Sequence, residues 1–401
     1  MTIDLVNSVT APSTAKLAVS FRGVSKSYDG HREVISNVSF DVEVGEFMVL
    51  LGPSGSGKST ILRSIAGIER IATGHISIFG RTVASGPIHT SPEERGISMV
   101  FQDYALWPHM TVLDNVAFAL KRLKLDRKTR ASKAREMLDK VGLGHKVNRY
   151  PAELSGGEQQ RVALARALVS HSGLVLFDEP LSNLDADLRE RLRIEIATLT
   201  RDAGASAIYI THDQNEAFAL ADKVGVLSDG KLIQLGPPEE IYDSPANNFI
   251  ARFTGLSGEL SGVVQRLVAQ NLVEVSVDGV TNCLVTRTNS DVAIGNPINV
   301  SIRPSAVEIE PVGEPVINDA RVLDVAYRGR GYEHALSIGG AVLSSVFSPR
   351  RFPRGSQVAL GVDPIGCMAF HEEGSEIIPP QKSVGLNAQD AHYQERREVS
   401  I

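Results

Sequence analysis

The rhythm of apolar and polar residues changes once along this chain, near Asn247. From Leu17 to about Asp243, short apolar runs alternate with amphipathic stretches, the pattern of α/β folding. FMVLLG (Phe47 to Gly52) and GLVLFD (Gly173 to Asp178) are continuous apolar runs closed by Gly or Asp. Such runs suit parallel strands buried on both faces. ILRSIAGI, which begins at Ile61, predicts a helix after the first of them. Beyond Asn247 the period shortens to two. VEVSVDG (Val273 to Gly279) alternates and ends in Asp-Gly, a hairpin signal. INVSIRP and HALSIGGAVLSSV repeat the theme, with Gly339-Gly340 as a further turn. This half predicts a small all-β barrel or barrel-like domain through about Phe370. Residues 1–16 are small and polar and read as a loose leader. The tail of residues 377–401 is polar and aperiodic and reads as disordered.

Composition narrows the class. Of 401 residues, 42% are apolar and 22% charged, which fits a folded protein and excludes a disordered one. Lys and Arg number 41 against 47 Asp and Glu, and a net charge of −6 argues against general nucleic-acid binding. Cys283 and Cys367 are too few and too far apart for a disulfide framework, so a reducing compartment is expected. No apolar run approaches the roughly 20 residues that span a bilayer. The start of the chain lacks a charged region followed by an apolar core, so no secretory signal is expected. One basic run, Lys121 to Arg135, falls in a predicted helical region and is followed by acids. It reads as a solvated face, with membrane-proximal charge a minor contribution.

Chemistry enters at Gly52-Pro53-Ser54-Gly55-Ser56-Gly57-Lys58-Ser59-Thr60, a match to the phosphate-loop pattern G-x-x-x-x-G-K-[ST] between a predicted strand and a predicted helix. Glycines at 52, 55 and 57 let backbone N–H groups converge on a polyphosphate. The following helix turns its positive end there. Lys58 supplies a point charge to the β- and γ-phosphates, and the Ser59 hydroxyl can ligate Mg²⁺. The guanine-selecting pattern N-K-x-D is absent from the sequence. The strand ending at Asp178 delivers that carboxylate where it can hold Mg²⁺ directly or through water. Glu179 is expected to point elsewhere, because side chains alternate along a strand, and so to polarise the attacking water. A solvated acidic pair closing a strand is the plainer reading of the same two residues.

The most specific segment is Leu154-Ser-Gly-Gly-Glu-Gln-Gln-Arg-Val-Ala-Leu-Ala-Arg-Ala-Leu168. Ser155 and Glu158 have capping-box spacing, and Gly156 and Gly157 leave bare N–H groups at a helix start. With two phosphate-binding ends in one chain, the sequence resembles the ATP-binding cassette superfamily, here with LSGGE for the family's LSGGQ. The resemblance covers about residues 18–242. It implies an α/β phosphate-loop ATPase core (residues 17–243) with a helical subdomain at about 103–165. Two cassettes would clasp ATP head to tail, so that Ser155, Gly156, Gly157 and Glu158 meet the nucleotide of a partner, either a second copy or another cassette.

Other positions follow from the same resemblance. Tyr28 matches the aromatic that stacks on adenine, although locally a half-buried tyrosine at a strand end fits as well. Gln102 matches the glutamine that senses Mg²⁺ and the attacking water. Asp185 matches the loop that crosses the dimer interface, and His212 the histidine at the γ-phosphate. Glu179, His212 and Gln102 are thus the candidate catalytic residues, and Ser59, Gln102 and Asp178 the candidate Mg²⁺ residues. The segment Asp103 to Pro108 matches the region where importer ATPases receive a helix of their membrane subunits; Trp107, Tyr104 and Leu106 suit that groove and core packing equally.

DGKLIQLGPPEEIYDSPANNFIARFTG and VSIRPSAVEI resemble importer ATPases that carry an appended OB-like regulatory domain of the TOBE type, here residues 244–376. The resemblance implies integral membrane permease subunits, indirectly a periplasmic or lipoprotein solute-binding protein, and a peripheral place at the cytoplasmic face of the cell membrane. It leans toward the iron(III), polyamine and phosphonate branch. Two readings compete: a soluble repair or translation ATPase, and a regulatory binding protein. Repair members insert a long coiled coil before the signature, translation members carry two cassettes, and the Asp178-Glu179 pair argues against loss of hydrolysis.

Overall fold

Five apolar residues in succession, Phe47–Leu51, form a strand buried along its whole length. Leu174–Asp178 and Ser206–Thr211 are likewise buried at every position. They lie in one six-stranded sheet whose order is Lys231–Gly236, Lys223–Ser228, Phe47–Leu51, Ser206–Thr211, Leu174–Asp178, Ser98–Val100. All neighbours are parallel except the first pair, as expected where continuous apolar runs are covered on both faces. The computed structural model describes residues 16–371 apart from 29–31, 183, 256–257, 270, 279, 281, 289–291 and 311–316. The expected tail, all but Lys16 of the expected leader, and Gly279 of the Asp-Gly pair lie outside the described residues.

The chain divides after Glu239 into two units. In the first, an antiparallel sheet of order Glu33–Glu43, Leu17–Ser27, Thr73–Ile78, Arg81–Ser85, Ile88–His89 accompanies the parallel one. Val19, Phe21 and Phe40 from that sheet share a core with Leu50, Ile61, Leu176 and Ile208. Between residues 111 and 168 the unit is helical: Val112–Phe118, Arg127–Lys140 and Gly156–Leu168. Asp126 caps the second of these, accepting from the N–H groups of Lys128 and Thr129.

In the second unit a closed barrel of five strands runs Gly258–Ala269, Leu272–Val277, Leu284–Thr288, Cys367–His371, Pro297–Ile302. A five-stranded sheet from residues 307–362 joins it in a single core that includes Leu260, Val300, Leu336 and Leu360. The all-β barrel or barrel-like domain expected from the sequence is thus present, with a second sheet that the sequence does not separate from it. Strands of both parts alternate with period two, and that period carries no information about which sheet a strand joins. The Gly339-Gly340 turn is where expected: the pair has φ of 53° and 94° and joins the antiparallel strands Tyr332–Ile338 and Ala341–Ser348.

Arg303, buried in this unit, ties the helix Asn248–Phe253 to the barrel. Its guanidinium donates to the carbonyls of Ala251 (3.2 Å), Thr254 (3.1 Å) and Tyr242 (2.5 Å) and to the Thr254 hydroxyl (3.1 Å). Removing it strands several acceptors at once. Arg303→Met is expected to cost about 2–4 kcal/mol, seen as a lower urea midpoint with an unchanged slope. An unshifted midpoint would contradict the tie.

Candidate functional site: a nucleotide site at the ends of four parallel strands

The register of the parallel sheet brings the motifs together. Leu51 pairs with Thr211, Ile210 with Asp178, and Phe177 with Val100, so four neighbouring strands end at one level. Just beyond those ends lie, in spatial order, the Gly52–Thr60 loop, His212, Glu179 and Gln102. Ligands of open parallel sheets bind outside such carboxyl ends.

The loop after Leu51 leaves no room for a side chain at two of its three glycines, while Gly55 is open but has φ 83°. A Cβ on Gly52 would lie 2.4 Å from the Leu227 carbonyl oxygen, and one on Gly57 would lie 2.6 Å from Ile35. Gly57 has φ 97° and opens the helix Lys58–Ala66, with no side chain capping that end. Its free N–H groups are therefore available to an anion. Lys58 is buried, and its ammonium donates to the carbonyls of Gly52 (2.7 Å) and Pro53 (2.9 Å). Burial lowers its pKa, against the raising influence of Glu179 and Asp178. The Ser56 hydroxyl is buried with no hydrogen-bond partner among the described residues.

Ser59 Oγ donates to Asp178 Oδ1 at 3.5 Å, which places two of the three expected Mg²⁺ groups side by side; the third, Gln102, bonds Ser182 instead. Burial raises the Asp178 pKa, and the Arg63 guanidinium, 3.7 Å from Oδ2, opposes that shift. Few protein ligands are needed here, because Mg²⁺ completes its shell with water and phosphate oxygens. An uncapped helix end, a neighbouring hydroxyl and carboxylate, and an unpartnered buried hydroxyl suit Mg²⁺-polyphosphate.

Glu179 does diverge from Asp178, but strand alternation is not the cause. It lies just beyond the strand with φ 44°, a left-handed turn, and its Oε2 lies 3.1 Å from His212 Nδ1. The turn is fastened by Ser182, whose hydroxyl donates to the Glu179 carbonyl (3.0 Å) and accepts from Gln102 Nε2 (3.2 Å). Gln102, Glu179 and His212 are thereby linked through a single cluster.

The His212 turn has a buried anchor that the sequence reading missed. Glu216 accepts from the hydroxyls of Tyr209 (2.9 Å) and Thr211 (2.8 Å). Arg189 bonds the Leu184 carbonyl (3.0 Å) and reaches Asp213 at 3.5 Å, which joins this turn to the residue before Asp185. Asp213-x-x-Glu216 at a helix start is the sequence signal that points to the anchor, with Asp213 as cap.

Ser155 and Glu158 form the expected capping box, and Lys146, 2.6 Å away, helps hold the Glu158 carboxyl below its usual pKa. Ser155 and Gly156 are exposed, and among the described residues no hydrogen bond links the signature to the phosphate loop. A Cβ on Gly157 would lie 2.9 Å from Leu188, so the signature rests on the helix that Asp185 caps. Asp185 itself accepts from the Leu188 N–H at 3.0 Å. Tyr28 is 56% exposed, its hydroxyl 3.4 Å from that of Thr60.

The stretch after Gln102 is held by two clamps. Arg166, near the end of the signature helix, donates to the carbonyls of Tyr104 (2.7 Å) and Ala105 (2.6 Å) and lies over the Trp107 ring. Asn115 grips the Trp107 backbone, accepting at 2.9 Å and donating at 3.1 Å. Tyr104 is buried, while Trp107 is half-buried against Phe118, with ring centroids 4.3 Å apart. Core packing thus describes Tyr104, whereas Trp107 keeps an accessible side.

The chain is similar to known proteins over most of its length. The ABC transporter family matches residues 35–182, and the TOBE domain matches residues 300–370. The chain is 42% identical to the Fe(3+) ions import ATP-binding protein FbpC of Rhizobium etli over 86% of its own length and 95% of that protein's. It is 41% identical to the spermidine/putrescine import ATP-binding protein PotA of Aliivibrio fischeri, over 76% and 80% respectively. Among solved structures, the dimeric structure of MJ0796, a bacterial ABC transporter cassette, aligns with TM-score 0.50 and 31% identity, covering 55% of this chain and 98% of that one. A parallel sheet that aligns the phosphate loop with Asp178-Glu179, together with this breadth of identity, places the chain in the ABC transporter family as an ATP-binding, ATP-hydrolysing importer subunit with a TOBE domain.

Proposed function

We propose that this subunit works at the cytoplasmic face of the cell membrane as half of a cassette pair, coupling ATP-driven closure to solute uptake through integral permease subunits. The observation that carries the reading is the separation of two anion sites: an uncapped helix end beside Asp178 and Glu179, and an exposed Ser155-Gly156 end elsewhere. A site missing its serine–glycine half is completed by a partner. ATP is then the interfacial ligand, and its preference for the closed pair shifts the population.

Within the site, Lys58 and the loop N–H groups bind the β- and γ-phosphates. Ser59 and Asp178 would hold Mg²⁺, with Gln102 close by, and the ion would neutralise charge on the transferred phosphoryl group. Glu179 takes the proton from the attacking water as the new P–O bond forms and the bond to the bridging oxygen breaks. His212 orients Glu179 and reaches the γ-phosphate, and Asp185 reaches across the pair. Tyr28 stacks on adenine. Tyr28→Ala is expected to weaken ATP binding about 2- to 10-fold in calorimetry, with turnover at saturation retained; unaltered affinity would remove Tyr28 from the site.

The solute is proposed to be iron(III), a polyamine or a phosphonate, fed to the permease by a solute-binding protein. Relatives named for iron, for spermidine/putrescine and for sn-glycerol-3-phosphate are 42%, 41% and 42% identical to this chain, so identity does not separate these solutes and the lean rests on the sequence resemblance alone. Uptake of labelled iron(III), spermidine, a phosphonate and maltose by cells lacking the subunit tests the reading. Loss confined to one of the first three is expected, and loss of maltose uptake alone would overturn the assignment.

A further inference from the structure

Residues 121–135 carry eight Lys or Arg against one Asp, in a chain whose net charge is −6. Lys121, Arg122, Lys124, Arg127, Lys128, Lys133 and Arg135 are exposed, and Arg130 is half-buried. Among the described residues none of the eight forms an ion pair. The only pair on the helix among those residues is Lys140 with Glu136, at 3.3 Å and beyond the run. The sequence reading expected a solvated face followed by acids. The acids are there, but they leave the run uncompensated.

The arrangement also works against the helix that bears it. Three of the cations, Arg127, Lys128 and Arg130, lie in the first turn of Arg127–Lys140, at its positive end, where the one acid is the cap Asp126. Cations there are destabilising by the same interaction that favours anions. Arg127, Arg130 and Lys133 follow at intervals of three, so like charges stack along one side. A local rule broken this consistently points to an external counter-charge. Leu123 is 43% exposed among the cations, and half-buried Leu125 lies beside it. Cations interspersed with exposed leucine fit the interface of a lipid layer, where apolar side chains enter the headgroup boundary. Nucleic acid fits less well, because the chain is acidic overall and residues 121–135 include no aromatic side chain, the nearest ring, Phe118, being half-buried and already under Lys121.

We infer that the Lys121–Arg135 segment docks on anionic phospholipid headgroups and holds the subunit against the membrane surface. The inference rests on the membrane position proposed above and adds a direct lipid contact to it. Each cation near such a surface is drawn by its negative potential, and salt screens the attraction.

The test is sedimentation of the full chain with vesicles of phosphatidylcholine, with or without about one-third phosphatidylglycerol, across about 50–300 mM salt. Pelleting with the anionic vesicles alone, declining as salt rises, is expected. The variant Arg127→Gln, Lys128→Gln, Lys133→Gln, Arg135→Gln should lose at least about tenfold in partitioning while keeping its ATP turnover and its melting temperature. Equal binding to neutral vesicles, an unaffected variant, or retention of duplex DNA with no retention on anionic vesicles would each overturn the inference. The proposed importer role is judged separately by the uptake assay, so lost vesicle binding with solute-specific uptake intact refutes the lipid contact alone.

Discussion

Replacing Glu179 by Gln is expected to leave ATP binding intact and to lower steady-state phosphate release by about 10²–10⁴-fold. The amide keeps the size of the side chain and can still bond His212 Nδ1, now 3.1 Å from Oε2, so the turn at φ 44° has no reason to rearrange. What is lost is the proton acceptor. With hydrolysis stopped, ATP should hold the closed pair, and size-exclusion chromatography of the variant should show a dimer with Mg²⁺-ATP and a monomer with ADP. Phosphate release at the parental rate would remove Glu179 from the role of base. A stalled variant that stays monomeric would instead count against the shared site.

The second large effect is expected at Lys58. It is 4% exposed, and its ammonium bonds the loop carbonyls of Gly52 and Pro53. Losing a charge-assisted bond costs about 1.5–3 kcal/mol, which corresponds to about 10- to 150-fold in affinity. Lys58→Ala should therefore weaken ATP binding over that range in calorimetry. Turnover should fall further, because the same charge faces the transferred phosphoryl group. Unchanged affinity would exclude Lys58 from phosphate contact.

Much of this site is legible in the sequence because its parts are local. A strand, a glycine-rich loop and a helix start suffice to recognise Gly52–Thr60, and a buried run ending in two acids suffices for Asp178-Glu179. The capping box at Ser155 is local too. What escapes depends on groups distant in sequence. Arg189 meets Asp213, and Glu216 meets Tyr209, only through the fold. The aim of Glu179 comes from a left-handed turn and not from strand alternation, and no residue pattern announces a non-glycine in that conformation. In the second unit, alternation identified strands but could not divide them between barrel and sheet.

Tyr104 and Ala105 adopt φ of 62° and 43°, side by side and without glycine. Non-glycine residues in that region each cost about 1–3 kcal/mol, and Arg166 is what grips their two carbonyls. The stretch is a strained segment that one guanidinium ties to the helix starting at Ser155, between the Gln102 end and the Trp107 end. Removing that side chain is expected to let the two backbones relax toward ordinary φ and so to uncouple both ends from the helix.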